Sequence, residues 1–273
     1  MTAIAIYQVD AFTSAVFSGN PAAVCPLENW LDASVMQAVA AENNLAETAF
    51  IVAGGEDGAD YGLRWFTPAV EVDLCGHATL ASAYVIFNHL QPSMTQVSFS
   101  TRSGILAVER DGDALVLDFP ARPPVSVDLP DGFVLAHGIT PDEFLRENID
   151  GGKNMAVFSS AALVRDFTPD LNFIANLPGD GLIVTAVGDS GDCDFVSRYF
   201  APQAGIPEDP VTGSAHCVSV PFWADHLGKA ELFARQVSSR GGELKCTLAT
   251  ASTGDRVRMG GEGVLFLQGM ITV

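Results

Sequence analysis

Three side chains in this 273-residue chain have the types and settings needed to move a proton: Glu47, His77 and Asp209. Glu47 lies in Asn43-Asn44-Leu45-Ala46-Glu47-Thr48-Ala49-Phe50, just ahead of an apolar run. Facing a cleft, a lone carboxylate there would have its pKa raised by desolvation and could carry a proton at neutral pH. A helix-terminal or solvent-exposed glutamate is the structural alternative. His77 falls in the first turn of a predicted helix, placed to donate to a substrate, relay a proton or simply cap that helix. Asp209 precedes Pro210 and a second predicted helix, where an acid either caps backbone amides or orients a substrate.

Both predicted helices open on a glycine, Gly76 and Gly213. The first turn of a helix carries unpaired N–H groups and the positive end of its dipole, so it can hold a carboxylate or phosphate without lysine. Glycine lets a ligand approach the backbone, and Ser214 adds a hydroxyl. Tight helix packing is the other reason for a glycine at such a place.

Two further chemistries use the same residues. Cys75 and His77 with His216 and Cys217 could be imagined on zinc, but they lack the paired spacing of structural zinc sites, so no metal is expected. Ser214, His77 and Asp209 have the residue types of a hydrolase triad without the Gly-x-Ser-x-Gly elbow.

The elements that must position these groups are written twice. Arg64-Trp65-Phe66-Thr67-Pro68, Cys75-Gly76-His77-Ala78-Thr79 and Ser100-Thr101-Arg102-Ser103-Gly104 recur as Arg198-Tyr199-Phe200-Ala201-Pro202, Thr212-Gly213-Ser214-Ala215-His216 and Ser238-Ser239-Arg240-Gly241-Gly242. The offset is 134 for the first arginines, 137 for the glycines and 138 for the later arginines, close to half the chain. Positions that break the symmetry are candidates for catalysis. Opposite Glu47 the second copy has Gly179, and opposite His77 it has Ser214.

Within each copy, short strand-like runs surround one apolar helix. Residues 3–9 read as a strand, 32–44 as a helix opened by Asp32, and 63–66 as a strand ended by Thr67-Pro68. The run from Gly76 to Leu90 is apolar all round, as a buried helix must be. Its counterpart runs from Gly213 to a C-cap at Gly228, with a local kink expected at Pro221. Asp111-Gly112-Asp113 signals a hairpin. Pro120-Ala121-Arg122-Pro123-Pro124 reads as the linker, giving domains 1–120 and 121–273, with the last strand free to cross back to the first. The fold class is therefore α+β: two duplicated domains, each of antiparallel or mixed strands around a central buried helix, with an active-site cleft expected between them.

Composition narrows the partners. A formal charge of −19, with three lysines among 14 basic residues against 33 acids, disfavours nucleic acid and anionic membrane surfaces. No basic flank followed by a long apolar run opens the chain, and no stretch approaches the roughly 20 apolar residues that span a bilayer. Five scattered cysteines fit free thiols, so the cytoplasm is the expected compartment. A small anionic metabolite is the expected ligand, provided that a local positive feature such as a helix N-terminus captures it against the global field.

Several blocks are specific when read together. Asp10-Ala11-Phe12-Thr13, Gly19-Asn20-Pro21-Ala22-Ala23-Val24, Asn44-Leu45-Ala46-Glu47-Thr48, Arg64-Trp65-Phe66-Thr67-Pro68, Cys75-Gly76-His77-Ala78-Thr79 and Glu208-Asp209-Pro210-Val211-Thr212-Gly213-Ser214-Ala215-His216 resemble, in order, the phenazine-biosynthesis PhzF-like family. That resemblance implies the diaminopimelate-epimerase fold and an isomerase or epimerase without a cofactor. It implies Glu47 as general acid/base and His77 and Asp209 as groups that hold and polarise the substrate. Gly76, Gly213 and Ser214 would bind its carboxylate, and a homodimer is implied. Similar racemases use two cysteines. Here the first position holds Cys75 but the second holds Thr212, which favours the carboxylate. Family members often have proline where this chain has Ala78. A binding protein without turnover and a Ser214-dependent hydrolase are the alternatives.

Overall fold

In a computed structural model that describes residues 2–189, 191–252 and 254–273, the chain packs as two compact units. One consists of Met1–Asp118 with Gly260–Val273, the other of Phe119–Met259.

In the first unit, the strand Ala3–Ala11 pairs antiparallel with Asn20–Leu27, which pairs parallel with Glu47–Ala53. A parallel pair needs a crossover, and the helix Ala33–Asn43 supplies it. Glu47–Ala53 continues antiparallel to Tyr61–Phe66, which runs parallel to Gln96–Thr101, itself antiparallel to Gly104–Asp111. The C-terminal strand Gly263–Thr272 pairs along the whole of Ala3–Ala11.

The second unit repeats the alternation. Glu143–Glu147 is antiparallel to Asn154–Val157, which is parallel to Leu182–Val187. That strand is antiparallel to Phe195–Ala201, which is parallel to Glu231–Gln236, and the last is antiparallel to Gly242–Ala251. The same sequence of antiparallel and parallel pairings in both units is the duplication expressed as topology.

The central helices, Gly76–Val85 and Gly213–Leu227, have no polar face. Apart from His77, buried polar side chains bond back to carbonyls one turn earlier, at matching positions in the two helices. Thr79 Oγ1 donates to the Cys75 carbonyl at 2.6 Å, and His216 Nδ1 to the Thr212 carbonyl at 2.8 Å. Ser82 Oγ donates to Ala78 O at 2.7 Å, and Ser219 Oγ to Ala215 O at 3.0 Å. Each pair is 137 residues apart, so the repeat extends to individual hydrogen bonds. Burying these hydroxyls unpaired would cost several kcal/mol, roughly 2–7.

Local readings hold with three differences. Asp32 stands at the helix start, but its carbonyl rather than its side chain closes the first turn. The helix from Gly76 gives way to a π turn over Ile86–Leu90. The helix through Pro221 is continuous from Gly213 to Leu227. Proline removes the donor that the Cys217 carbonyl would have used, and Arg122 N in the linker segment replaces it at 2.8 Å. Gly228 caps that helix with φ +67°, and Gly112 turns the Asp111 hairpin with φ +62°. Among the described residues no helix is long and apolar enough to cross a membrane.

Candidate active site

The first unit brings Glu47 and His77 together. Glu47 is the first residue of its strand, in register with Ala22 on the parallel neighbour. His77 is the second residue of the central helix, for which Cys75 is the N-cap. His77 Nε2 lies 2.9 Å from Glu47 Oε2. Both residues are buried, at 5% and 8% exposure. The pairing is one of charge and proximity, since Oε2 receives no aligned hydrogen bond from the described residues.

The other ring nitrogen is surrounded as well. Asn20 Nδ2 lies 3.2 Å from His77 Nδ1, and Cys75 Sγ lies 3.5 Å from it. With the proton on Nε2, Nδ1 accepts from the Asn20 amide and Nε2–H faces Glu47. With both nitrogens protonated, the carboxamide oxygen of a flipped Asn20 or the Cys75 sulfur becomes the partner of Nδ1. Burial opposes charge on His77, but the neighbouring Cys75 and Glu47 outweigh it and hold the imidazole well above its ordinary range. Burial pushes the Cys75 thiol up to about 11, so it stays protonated at neutral pH.

The turn before Asn20 explains how it gets there. Gly19 has φ +65°, and a Cβ at this position would stand 2.2 Å from the Ala11 carbonyl oxygen. Only glycine makes that turn without moving the strand that feeds the site. The block containing Asn20 was visible in the sequence, but nothing local pointed its carboxamide at His77.

The second unit holds Asp209, Gly213 and Ser214. Asp209 is buried at the end of the short strand Ile206–Asp209, three residues before the N-cap Thr212. Thr212 Oγ1 donates to Asp209 Oδ2 at 2.5 Å. Gln236, 1% exposed, fixes both ends of the connecting turn. Its Nε2 donates to the Asp209 carbonyl at 2.6 Å and to Thr212 Oγ1 at 3.2 Å, and its Oε1 accepts from Thr212 N at 2.9 Å. Sequence reading missed Gln236 because its partners are 24 and 27 residues away. Gly213 and the partly exposed Ser214 occupy the first turn. Ser214 hydrogen-bonds no imidazole and no carboxylate among the described residues. His216 is turned inward to the Thr212 carbonyl, and burial pushes its pKa down to about 4.

Residues 9–269 match the phenazine biosynthesis-like protein family. This chain belongs to that family. An uncharacterized isomerase of Pseudomonas aeruginosa is 47% identical over 98% of this chain and 98% of its own. A second from the same organism is 48% identical over 97% of both. The crystal structure of a PhzF-family phenazine biosynthesis protein from Enterococcus faecalis superposes with a TM-score of 0.92 at 43% identity, covering 100% of each chain. The fold extends to a hydroxyproline epimerase from Agrobacterium vitis, at a TM-score of 0.60 and 10% identity over 98% of this chain and 92% of that one.

As a PhzF-like protein the chain is an isomerase, and its duplicated α+β architecture is the family's. Cys75, the N-cap of the first central helix, lies beside His77. At the equivalent N-cap of the second helix, Thr212 supplies a hydroxyl to Asp209 instead of a thiol.

Proposed function

We propose that this PhzF-like isomerase moves a proton on a small carboxylate-bearing metabolite without a cofactor, with Glu47 as the group that carries it. The observation behind this reading is the buried contact of 2.9 Å between Glu47 Oε2 and His77 Nε2 at the start of the central helix. A carboxylate in that position can accept a proton from substrate carbon, becoming the neutral acid while the C–H electron pair moves toward the substrate's activating group. Returning the same proton to a second carbon, or to the opposite face of the first, completes an isomerisation or an epimerisation. No electrons leave the substrate, so the step needs no hydride acceptor.

His77 lies against the Glu47 carboxyl group and polarises the substrate. The first-turn amides beginning at Gly76 offer donors to developing negative charge. Asp209, Gly213 and Ser214 take the roles implied by the family resemblance: orientation of the substrate by Asp209, and binding of its carboxylate by the helix terminus and hydroxyl. A protonated thiol at Cys75 is a weak base, which supports the carboxylate over a thiol mechanism. A homodimer and a cytoplasmic location complete the reading.

The test is solvent exchange. Amino acids and cyclic or unsaturated carboxylates are incubated in D2O with wild type, Glu47→Gln and Cys75→Ala, then read by mass spectrometry. Deuterium entering a compound with wild type and not with Glu47→Gln supports the proposal and identifies the substrate class. Exchange that persists in Glu47→Gln and disappears in Cys75→Ala would replace the carboxylate with the thiol.

A further inference from the structure

The repeated arginines hold equivalent positions but have different neighbours. Arg64 pairs in register with Phe50, and Arg198 with Val184, each beside the strand into which its unit's crossover leads. Each grips a glutamate through Nε and Nη2, Glu71 in the first unit and Glu208 in the second. The third nitrogen separates them. Nη1 of Arg198 donates to the carbonyls of Val164, Arg165 and Phe167, supplied by the short helix Ala161–Arg165 and the turn after it. In the first unit Trp30 stands in the crossover, its ring centroid 5.6 Å from Arg64 Cζ, and among the described residues Arg64 Nη1 donates to no acceptor. Beside it lies a cavity of about 260 Å³ whose lining includes Trp30, Glu56, Gly62, Arg64 and Arg102.

We propose that this cavity is a second binding site, separate from Glu47 and His77, for a small monocarboxylate with a flat apolar body. At Arg64 Nη1 the carboxylate takes the place that backbone carbonyls take at Arg198, and the body lies against the Trp30 indole. The volume is at the small end of ligand pockets, which sets the body at about one ring. The platform is held ready. A Cβ on Gly62 would stand 2.8 Å from Trp30 Cζ2, so this glycine lets the ring lie against the strand Tyr61–Phe66. The second copy has Val196 at that position, 134 residues on. Trp30 is 42% exposed, whereas Trp65 and Trp223 are buried.

Charge selects the ligand. A formal charge of −19 repels anions at long range, so an anion must be captured locally. Two guanidiniums border the cavity, and Glu71 serves both, at 2.6 Å from Arg64 and 2.7 Å from Arg102. Asp73, 3.5 Å from Arg102, is largely exposed and offsets little of the remaining charge. Glu56 on the same lining opposes a second negative charge, so a monoanion is taken over a dianion. The site does not depend on the assignment of Glu47 as the acid/base.

The experiment titrates benzoate into the full-length protein at constant ionic strength. Binding is read by broadening of the benzoate ring-proton resonances, which needs no tryptophan in the variants, and by the fluorescence of Trp30 in wild type. Wild type is expected to bind saturably, with one midpoint in both readouts that Glu47→Gln leaves unchanged. Arg64→Lys and Arg102→Gln are expected to bind at least about tenfold more weakly, as a lost contact to a charged group implies. Trp30→Leu is expected to lose at least about threefold. Arg102→Gln changes an exposed side chain, so the test stands even where Arg64→Lys does not fold. Phthalate, the dianion built on the same ring, is expected to bind at least about threefold more weakly than benzoate. Non-saturable broadening, or equal affinity in wild type and the Trp30 and Arg102 variants, would overturn the site. Loss of binding in Glu47→Gln would also overturn it, by placing benzoate beside Glu47. Phthalate binding as tightly as benzoate would overturn the preference for a monoanion.

Discussion

Thr212 Oγ1 donates its proton to Asp209 Oδ2, and Gln236 holds the two residues at that distance from behind. The carboxylate is held from within its own turn, and a buried amide 27 residues downstream ties the backbone of that turn. Gln236→Leu keeps the volume but removes a donor to the Asp209 carbonyl and an acceptor from Thr212 N. Unpaired buried groups of this kind cost about 1–3 kcal/mol each. Urea unfolding is expected to show a loss in that range or above, and KM to rise in steady-state assays as Asp209 loses its orientation. An unchanged KM in a folded variant would remove Asp209 from substrate binding.

Glu47→Gln preserves shape and removes the base. Turnover is expected to fall by about 10²–10⁴-fold, the usual contribution of general acid–base catalysis. Thermal unfolding should stay near that of wild type, which separates lost chemistry from lost fold. Residual turnover within about threefold of wild type would mean another group moves the proton.

His216 gives stability a defined acid limb. Its pKa is depressed by burial to about 4 from the ordinary 6.5. The unfolded chain therefore binds this proton first as pH falls. The stability associated with neutral His216 is fully present above about pH 6.5 and is lost as pH falls toward 4. Between pH 7.5 and pH 5 this one group is expected to cost about 2 kcal/mol in urea unfolding. His216→Asn keeps a donor for the Thr212 carbonyl and cannot titrate, so it should flatten that limb.

The duplicated arginines are not equal. Arg64 forms a fork with Glu71 at 2.6 and 2.8 Å, and Arg198 forms the same fork with Glu208 at 2.7 and 3.0 Å. Arg198 Nη1 additionally donates to the carbonyls of Val164, Arg165 and Phe167. Glu71 keeps Arg102 as a partner if Arg64 is removed. Arg198→Ala is therefore expected to destabilise by about 3 kcal/mol or more and Arg64→Ala by about 1 kcal/mol. Chemical denaturation of the two variants side by side reads the difference directly.

Much of the architecture was legible because it was repeated. Two apolar helices opening on Gly76 and Gly213, bordered by matching arginine strands, need no distant information to be recognised. Glu47 and His77 stood out because the second copy has Gly179 and Ser214 instead. Asn20 and Gln236 were opaque for the opposite reason. Each acts across the sheet on a residue far along the chain, and neither breaks a pattern where it stands. Which strands pair in parallel was equally hidden, since a parallel neighbour is chosen by the crossover and not by the strand's own residues.

The helix through Pro221 completes its hydrogen bonding only with an upstream residue, Arg122, whose N–H binds the Cys217 carbonyl. The second unit thus depends on the segment ahead of its own first strand. A gene fragment opening after Pro124 would encode nearly all of its strands and helices, yet leave that carbonyl without its donor inside a buried helix. Where one repeat is excised, transplanted or doubled, the boundary therefore belongs ahead of Arg122, and the proline decides this from about a hundred residues downstream.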